Sequence, residues 1–450
     1  MTNFNAAEFK TQAKALLRLA SPLMVNNLAV AGMQFADAVM AGSLGAKELA
    51  AVAVGGSFWF LGFSLCLGIL MAISPIVSRH FGAGRYDLIG RYTRQGLYLA
   101  VLLGVPLVLF GQYAAPVLLE KFGIDPEFRD LTVGYVGAIT FGAPGIFAFL
   151  ALRFTTEGIG HTRPIMIASI FALVCNVFLN YVLMFGHFGA PALGAVGCGY
   201  ASAISMWLVM FVLLTYMIIS PHYRKFHLFA RVAPLRLSAF KEIFNLGIPI
   251  AITITAEAGL FSAVSILMGT RGTNITAAHQ IAISFSSTTF MIPLALSSAT
   301  TIMVGQLIGA GKLRDARVCG AVGIMLCAGF MTFSAAFLLV FRDAVVGLYT
   351  HDAAVTGIAI SLLLVAAIFQ IADGIQIGAA GALRGYKDTA TPMLINIFAF
   401  WVLAFPLAYL AAVTYQAPPN YVWGGFIVGL GVAATLLTWR YNRLSRAALD

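Results

Sequence analysis

The chain has 450 residues, 60% of them hydrophobic and only 10% charged, with a formal net charge of +10. A soluble domain carries roughly 25% charged residues, so this composition excludes a soluble globular protein and points to one embedded in a bilayer. Five cysteines, at 66, 175, 198, 319 and 327, all fall in apolar runs with no CxxC pair, which fits small packing residues and neither disulfides nor zinc ligands.

The N-terminal stretch MTNFNAAEFKTQAKALLRLA lacks a small-residue cleavage site after a short apolar core, so no cleaved signal peptide is expected. Apolar runs of membrane-spanning length, ~17–25 residues, then follow one another. Twelve are predicted, over about 15–37, 49–77, 91–112, 131–155, 164–186, 195–219, 240–268, 279–307, 318–341, 354–383, 391–412 and 421–440. The connections are short. With twelve spans both termini share one side, and 22 of the 27 Lys and Arg fall on it; the other side holds Lys47, Lys121, Arg129, Arg271 and Arg342. That asymmetry places both termini in the cytoplasm. The charge therefore orients the chain and calls for no nucleic acid.

The halves resemble each other at an offset of 227 residues. Pro22 answers Pro249, Gly42 and Gly45 answer Gly269 and Gly272, and GAGR at 82–85 answers GAGK at 309–312. Farther on, HTRPIM at 161–166 answers DTATPM at 388–393 with one residue inserted. Six spans per repeat return the chain to its starting side, so both repeats have one orientation and relate by a pseudo-twofold axis along the membrane normal, as in several transporters. The expected organisation is an N-terminal six-helix lobe at 1–220, a basic cytoplasmic loop at 221–239 and a C-terminal six-helix lobe at 240–450, with the substrate site between lobes.

Span 1 contains GMQFADAVMAG, residues 32–42, where Asp37 sits in an apolar run. Span 7 carries Glu257 and span 10 carries Asp373, while Asp352 lies at the outer end of span 10. A central carboxylate costs at least ~2.5–3.5 kcal/mol on insertion scales and usually has a function. None of the three has an acidic counterpart at the repeat offset, unlike the prolines and glycines, which favours function over folding. The competing reading is a protonated acid hydrogen-bonded to a neighbouring helix. In span 5, Asn176 and Asn180 are four apart and share a helix face. With Asp37 they offer hard oxygen ligands suited to sodium; interhelical hydrogen bonding, worth ~0.6–2 kcal/mol, is an equal alternative. His279 and Gln280 begin span 8 and are expected at the interface. Pro144, Pro249, Pro293 and Pro406 are expected to bend helices. Phe285, Phe290, Met291 and Phe369 are expected to pack, although aromatic faces beside carboxylates also suit organic cations. No catalytic triad, metal-ligand cluster or nucleotide motif occurs, so no enzyme is expected.

The stretch AAHQIAISFSSTTFMIPLALSSATTIMVGQLIGAG, 277–311, resembles the eighth span of multidrug and toxic compound extrusion (MATE) transporters of the NorM-type branch. DAVMAGSLGAKELAAVAVG, GIGHTRPIMIASIFALVCNVFLNYVL and GALRGYKDTATPML are similar to the same family, and the likeness covers nearly the whole chain. It implies an all-α integral membrane protein of the MATE fold, with two six-helix lobes around a V-shaped cavity. It also implies a secondary active antiporter in a bacterial inner membrane, exporting lipophilic cationic drugs, dyes and fluoroquinolones for Na+ or H+ by alternating access, with no other cofactor. A monomer is expected.

By the same resemblance, Asp37 matches the N-lobe acid, Asn176 and Asn180 the polar pair of span 5, and Ser202 a small hydroxyl of span 6. Glu257 and Asp373 match the C-lobe acids, and Asp352 a cavity-mouth acid. Substrate contacts are expected at Asp37, Asp352, Glu257, Asp373, Phe285 and Met291. The resemblance favours sodium at Asp37, Asn176 and Asn180, or at Glu257 and Asp373. Two positions depart from relatives with a tyrosine near the C-lobe cation: Phe290 and Phe369 offer a ring face and no hydroxyl. The alternative is a lipid-linked oligosaccharide flippase of related architecture. Its anionic cargo calls for several basic residues within spans, whereas Lys and Arg here cluster at loops and span ends.

Overall fold

The computed structural model describes residues 6–122, 124–228, 234–350 and 352–449, and these are almost entirely helical, with no strand among them. That follows from the solvent: inside a bilayer every backbone N–H and C=O must be satisfied within the segment, and only helices or closed barrels do so. Eleven single helices are long and apolar enough to cross a membrane, and a bent pair brings the number to twelve. In chain order they are α1 (Ala6–Leu44), α2 (Ala46–Gly82), α3 (Tyr86–Lys121), the bent α4 (Pro126–Thr140 and Ala143–Gly158), α5 (Arg163–Phe185), α6 (Gly194–Ile219), α7 (Leu237–Gly269), α8 (Thr273–Gly309), α9 (Leu313–Gly347), α10 (Ala353–Gly385), α11 (Ala390–Thr414) and α12 (Pro419–Ala447). Each coincides with one predicted span. Several start earlier than predicted, α1 at Ala6 rather than 15, because charged residues continue a helix beyond the apolar stretch that hydropathy detects.

The repeat is visible in backbone detail. Gly84 and Gly311, 227 residues apart, both take positive φ, 69° and 75°. Each closes the same C-terminal turn. Arg85 N donates to His80 O and Lys312 N to Leu307 O, both at 2.9 Å, which satisfies a carbonyl the helix end leaves orphaned. The third such turn pairs Gly160 (φ 79°) with Lys387 (φ 62°). Side-chain packing repeats as well. A Cβ on Gly158 would stand 2.7 Å from Val77 and 3.1 Å from Ser74 O; on Gly385 it would stand 2.7 Å from Val304 and 3.0 Å from Thr301 O. Both neighbours follow the 227 offset.

The prolines behave differently from one another. Pro144 lies at the 44° break of α4. Pro249 and Pro293 sit inside the continuous helices α7 and α8. Pro406 lies between two π-helical stretches of α11, Phe398–Ala404 and Leu410–Thr414, where the wider winding absorbs the lost hydrogen bond. Pro22 leaves the Arg18 carbonyl without its helical donor, and Ser21 Oγ donates to that carbonyl at 3.3 Å.

Packing divides the chain into two compact units. One comprises Pro22–Ala251, and the other joins the chain up to Ser21 to everything from Ile252 onward. The first has an apolar core around Val52, Tyr135, Val136, Ile139 and Met184. The second is centred on Phe369, Phe400, Trp423 and Phe426. Residues 229–233 of the predicted inter-lobe loop lie outside the described residues. The rest of that loop is fastened to the first unit. Arg94 donates to the carbonyls of His227 (2.7 Å) and Leu228 (2.9 Å), and Lys225 lies 4.9 Å from the Tyr86 ring.

Candidate functional site

In the first unit, α1, α5 and α6 bring four predicted residues together. Asp37 Oδ1 accepts from Asn180 Nδ2 at 2.6 Å, and its Oδ2 accepts from Ser202 Oγ at 3.3 Å. Asn176, one turn before Asn180, donates to Ser202 Oγ at 3.4 Å and accepts from Asn180 at 3.4 Å. The Cys198 thiol, one turn before Ser202, also bonds to the carboxylate. Asn176, Asn180 and Ser202 are buried. Asn180 Oδ1 is shielded from solvent yet has no hydrogen-bond partner among the described residues. A buried acceptor without a donor costs ~1–3 kcal/mol, and a cation at this point would remove that cost. The cluster pools five oxygen ligands: two from Asp37, one amide oxygen from each asparagine, and the Ser202 hydroxyl. One carboxylate with neutral oxygens is a donor set for a small hard cation. Among the described residues no group of three or more His, Cys, Asp and Glu forms a transition-metal site.

In the second unit, Asp373 on α10 and Glu257 on α7 lie close enough to interact electrostatically, and Arg384 is within reach of Glu257. Asp373 is 5% exposed, and its Oδ1 is buried without a partner among the described residues. One turn away, Gln370 accepts from Ser334 Oγ at 3.1 Å and donates to Ser286 Oγ (3.5 Å) and Thr289 Oγ1 (3.4 Å), which ties α8, α9 and α10 together. Buried Arg384 donates to Ser297 Oγ at 3.0 Å.

The remaining predicted residues are placed as follows. Phe369 is 1% exposed and stacks into the core, 5.6 Å from the Trp423 ring and 5.7 Å from Phe426. Its faces are therefore taken up by packing. Phe285, half-buried, rests on the same core, and Phe290 and Met291 are half-buried on α8. Asp352 is exposed and caps α10, accepting from Ala354 N at 2.8 Å. His279 departs from the interfacial position expected of it. It is 1% exposed, accepts from Trp423 Nε1 at Nδ1 (3.0 Å), and meets Ser265 Oγ at Nε2 (2.8 Å). An indole and a hydroxyl give it inside the helix bundle what water would give it at a surface.

Four further polar residues escaped the sequence reading. Glu157 is 2% exposed and pairs with Arg153 at 2.6 Å; Asn26 and Ser169 are buried beside them. Glu157 stands next to the GIGHTRP turn and reads as a loop acid. The available signal was its i, i+4 spacing from Arg153, which makes an ion pair on one helix face.

A family model described as MatE matches residues 22–182 and 249–410, one match per repeat. The multidrug resistance protein NorM of Vibrio vulnificus YJ016 is 37% identical over 97% of each chain. The multidrug resistance protein PmpM of Pseudomonas aeruginosa is 38% identical over 97% of this chain and 92% of its own. Among solved structures, the eukaryotic MATE transporter AtDTX14 superposes with a TM-score of 0.87 at 24% identity, covering 98% of this chain and 99% of that one; it speaks to the fold alone.

Proposed function

This chain belongs to the MatE family and is a multidrug efflux transporter of the membrane, and from that premise we propose that it exports lipophilic organic cations in exchange for Na+ or H+. A bacterial inner membrane, cytoplasmic termini and a monomeric state complete the reading. It rests on one observation above the others: the Asp37 cluster combines a carboxylate with an unsatisfied buried amide oxygen of Asn180. A sodium ion would take up those oxygens. A proton would instead convert Asp37 from an acceptor of two hydrogen bonds into a donor. Either event changes which contacts hold α1. In the second unit the unpartnered Asp373 Oδ1 supports a second cation position shared with Glu257.

A coupling ion drives export only by binding two conformational states with different affinity. Inward-negative potential adds ~2.3 kcal/mol per charge per 100 mV. Drug and ion therefore compete for the ionised acids: the organic cation gains from them on the cytoplasmic side, and the coupling ion replaces it from outside. The flippase alternative is disfavoured by the two buried arginines. Arg153 pairs with Glu157 and Arg384 bonds to Ser297, so each is engaged within its own unit.

Ethidium efflux from reconstituted vesicles, with sodium and pH gradients imposed separately, tests this. Export driven by one of the two gradients is expected, and it is lost in Glu257→Gln or Asp373→Asn although both variants fold. Normal efflux in both variants removes the second-unit acids from the mechanism. Failure of either gradient to move any lipophilic cation overturns the drug–cation exchange.

A further inference from the structure

A second polar cluster lies in the same unit as Asp37, and the sequence spacing makes the two a ladder. Oriented so that both ends of its amide are satisfied, Asn26 on α1 donates from Nδ2 to Ser169 Oγ on α5 at 2.6 Å. Its carbonyl oxygen then faces the Arg153 guanidinium on α4, 3.2 and 3.3 Å from the two Nη atoms. Arg153 Nε holds Glu157 Oε1 at 2.6 Å. Asn26, Ser169 and Glu157 are all at most 3% exposed. Asn26 and Asp37 are eleven residues apart on α1, and so are Ser169 and Asn180 on α5. Eleven residues are three turns, about 16 Å along the axis, and return to nearly the same face. The same faces of α1 and α5 are therefore tied twice, by Asn26–Ser169 and by Asp37–Asn180.

The two ties differ in kind. The outer one depends on the state of a carboxylate. The inner one holds one positive and one negative charge in direct contact, and a guanidinium keeps its proton throughout the usable pH range, so neither proton nor sodium has a reason to break it. Between the ties, Gly32 and Ala36 of α1 line an apolar groove with Leu173 and Val177 of α5. Nothing larger than a methyl group on α1 interlocks at those two positions. We propose that Asn26, Ser169, Arg153 and Glu157 are positioning residues that form a charge-balanced fulcrum, pinning the inner part of α1 to α4 and α5 so that release of the Asp37 tie swings only the outer part. This rests on the reading that Asp37 trades its hydrogen bonds for the coupling cation.

The test uses the full-length transporter in proteoliposomes, with half-buried Cys66 and Cys175 replaced by serine; the other three cysteines are buried. Environment-sensitive probes are placed on α1 at Val39→Cys, outside the Asp37 tie, and at Leu28→Cys, beside Asn26. Both positions are exposed, at 53% and 48%. In the otherwise native chain, adding Na+ or H+ shifts the Val39 probe and leaves the Leu28 probe still. In Asn26→Leu both probes respond, ethidium efflux per folded transporter falls at least tenfold, and the cation concentration for half-maximal rate stays within twofold. Asn26→Asp, which still accepts from Arg153, restores most of the rate. Ser169→Ala, a milder lesion, gives the same pattern in weaker form and serves if Asn26→Leu does not fold.

Native efflux in Asn26→Leu or Ser169→Ala with a still Leu28 probe overturns the fulcrum. So does equal movement of both probes in the unaltered chain. A different result marks failure of the Asp37 reading itself: neither probe responds to either cation, and Asp37→Asn exports at the native rate.

Discussion

Glu157 and Asp37 are both acids within apolar surroundings, yet the structure gives them opposite situations. Glu157 has its own cation, Arg153, at 2.6 Å; Asp37 has only amides, a hydroxyl and a thiol. A charge already balanced in the fold serves position, and a charge left for a mobile cation serves exchange. A third titratable group, on the face predicted to be cytoplasmic, makes a prediction of its own. The His161 and His222 rings lie 4.5 Å apart, with Tyr216 and Tyr223 against His161. Burial, then His222, then Arg163 hold His161 below the ordinary imidazole value; burial and Lys225 do the same to His222. With the folded-state values lowered, the unfolded chain takes up protons first. The pair's contribution is therefore present above about pH 6.5, the ordinary histidine value, and is lost as pH falls through it. Thermal unfolding of the detergent-solubilised protein between pH 5 and 7.5 should show a falling midpoint on acidification. His161→Asn combined with His222→Asn should flatten that slope, and an unchanged slope would remove the pair from the pH response.

At the scale of helices, the duplicated glycines matter most. Gly158 and Gly385 each let a helix end approach a valine and a backbone carbonyl 227 residues from their counterparts. A backbone carbonyl and a valine Cβ are not free to move aside, so a methyl group forces the helices apart, at ~1–3 kcal/mol. Gly158→Ala and Gly385→Ala should each lower stability by that amount, and by similar amounts because the surroundings repeat. Gly329→Ala, where nothing lies within 4 Å of the new Cβ, should change stability by less than ~0.5 kcal/mol. Denaturant titration of the three variants measures this, and a tolerant Gly158 or Gly385 would contradict the packing. The same glycines were legible in the sequence because the repeat aligned them. The π-helical stretches of α11 were not, since Pro406 foretells a lost hydrogen bond but not how the winding absorbs it. Nor was the burial of His279, whose two partners, Ser265 and Trp423, lie 14 and 144 residues away.

For the whole molecule, the distribution of Lys and Arg sets the orientation. A fluorescent protein fused after Asp450 should mature in the cytoplasm. A phosphatase inserted at Gly189, in the predicted outer loop between α5 and α6, should be active only on the outer side. Activity of the phosphatase at the C-terminus and not at Gly189 would invert the topology.

The sequence alone determined the membrane class, the twelve spans, the duplication and the three acids that cost most to bury. Each of these depends on composition or on spacing along one helix, where apolar length, periodicity and charge act locally. Only the tertiary structure decided which polar groups meet. Asp37 finds Asn180 143 residues on, and Asn26 finds Ser169 at the same separation, so one equal step along two helices builds both ties. It also decided that Phe369 belongs to the core and that Glu157 is neutralised in place. Those outcomes depend on contacts between distant helices, where hydrogen-bond geometry and burial, absent from any local pattern, determine whether a charge is balanced or left open to a cation.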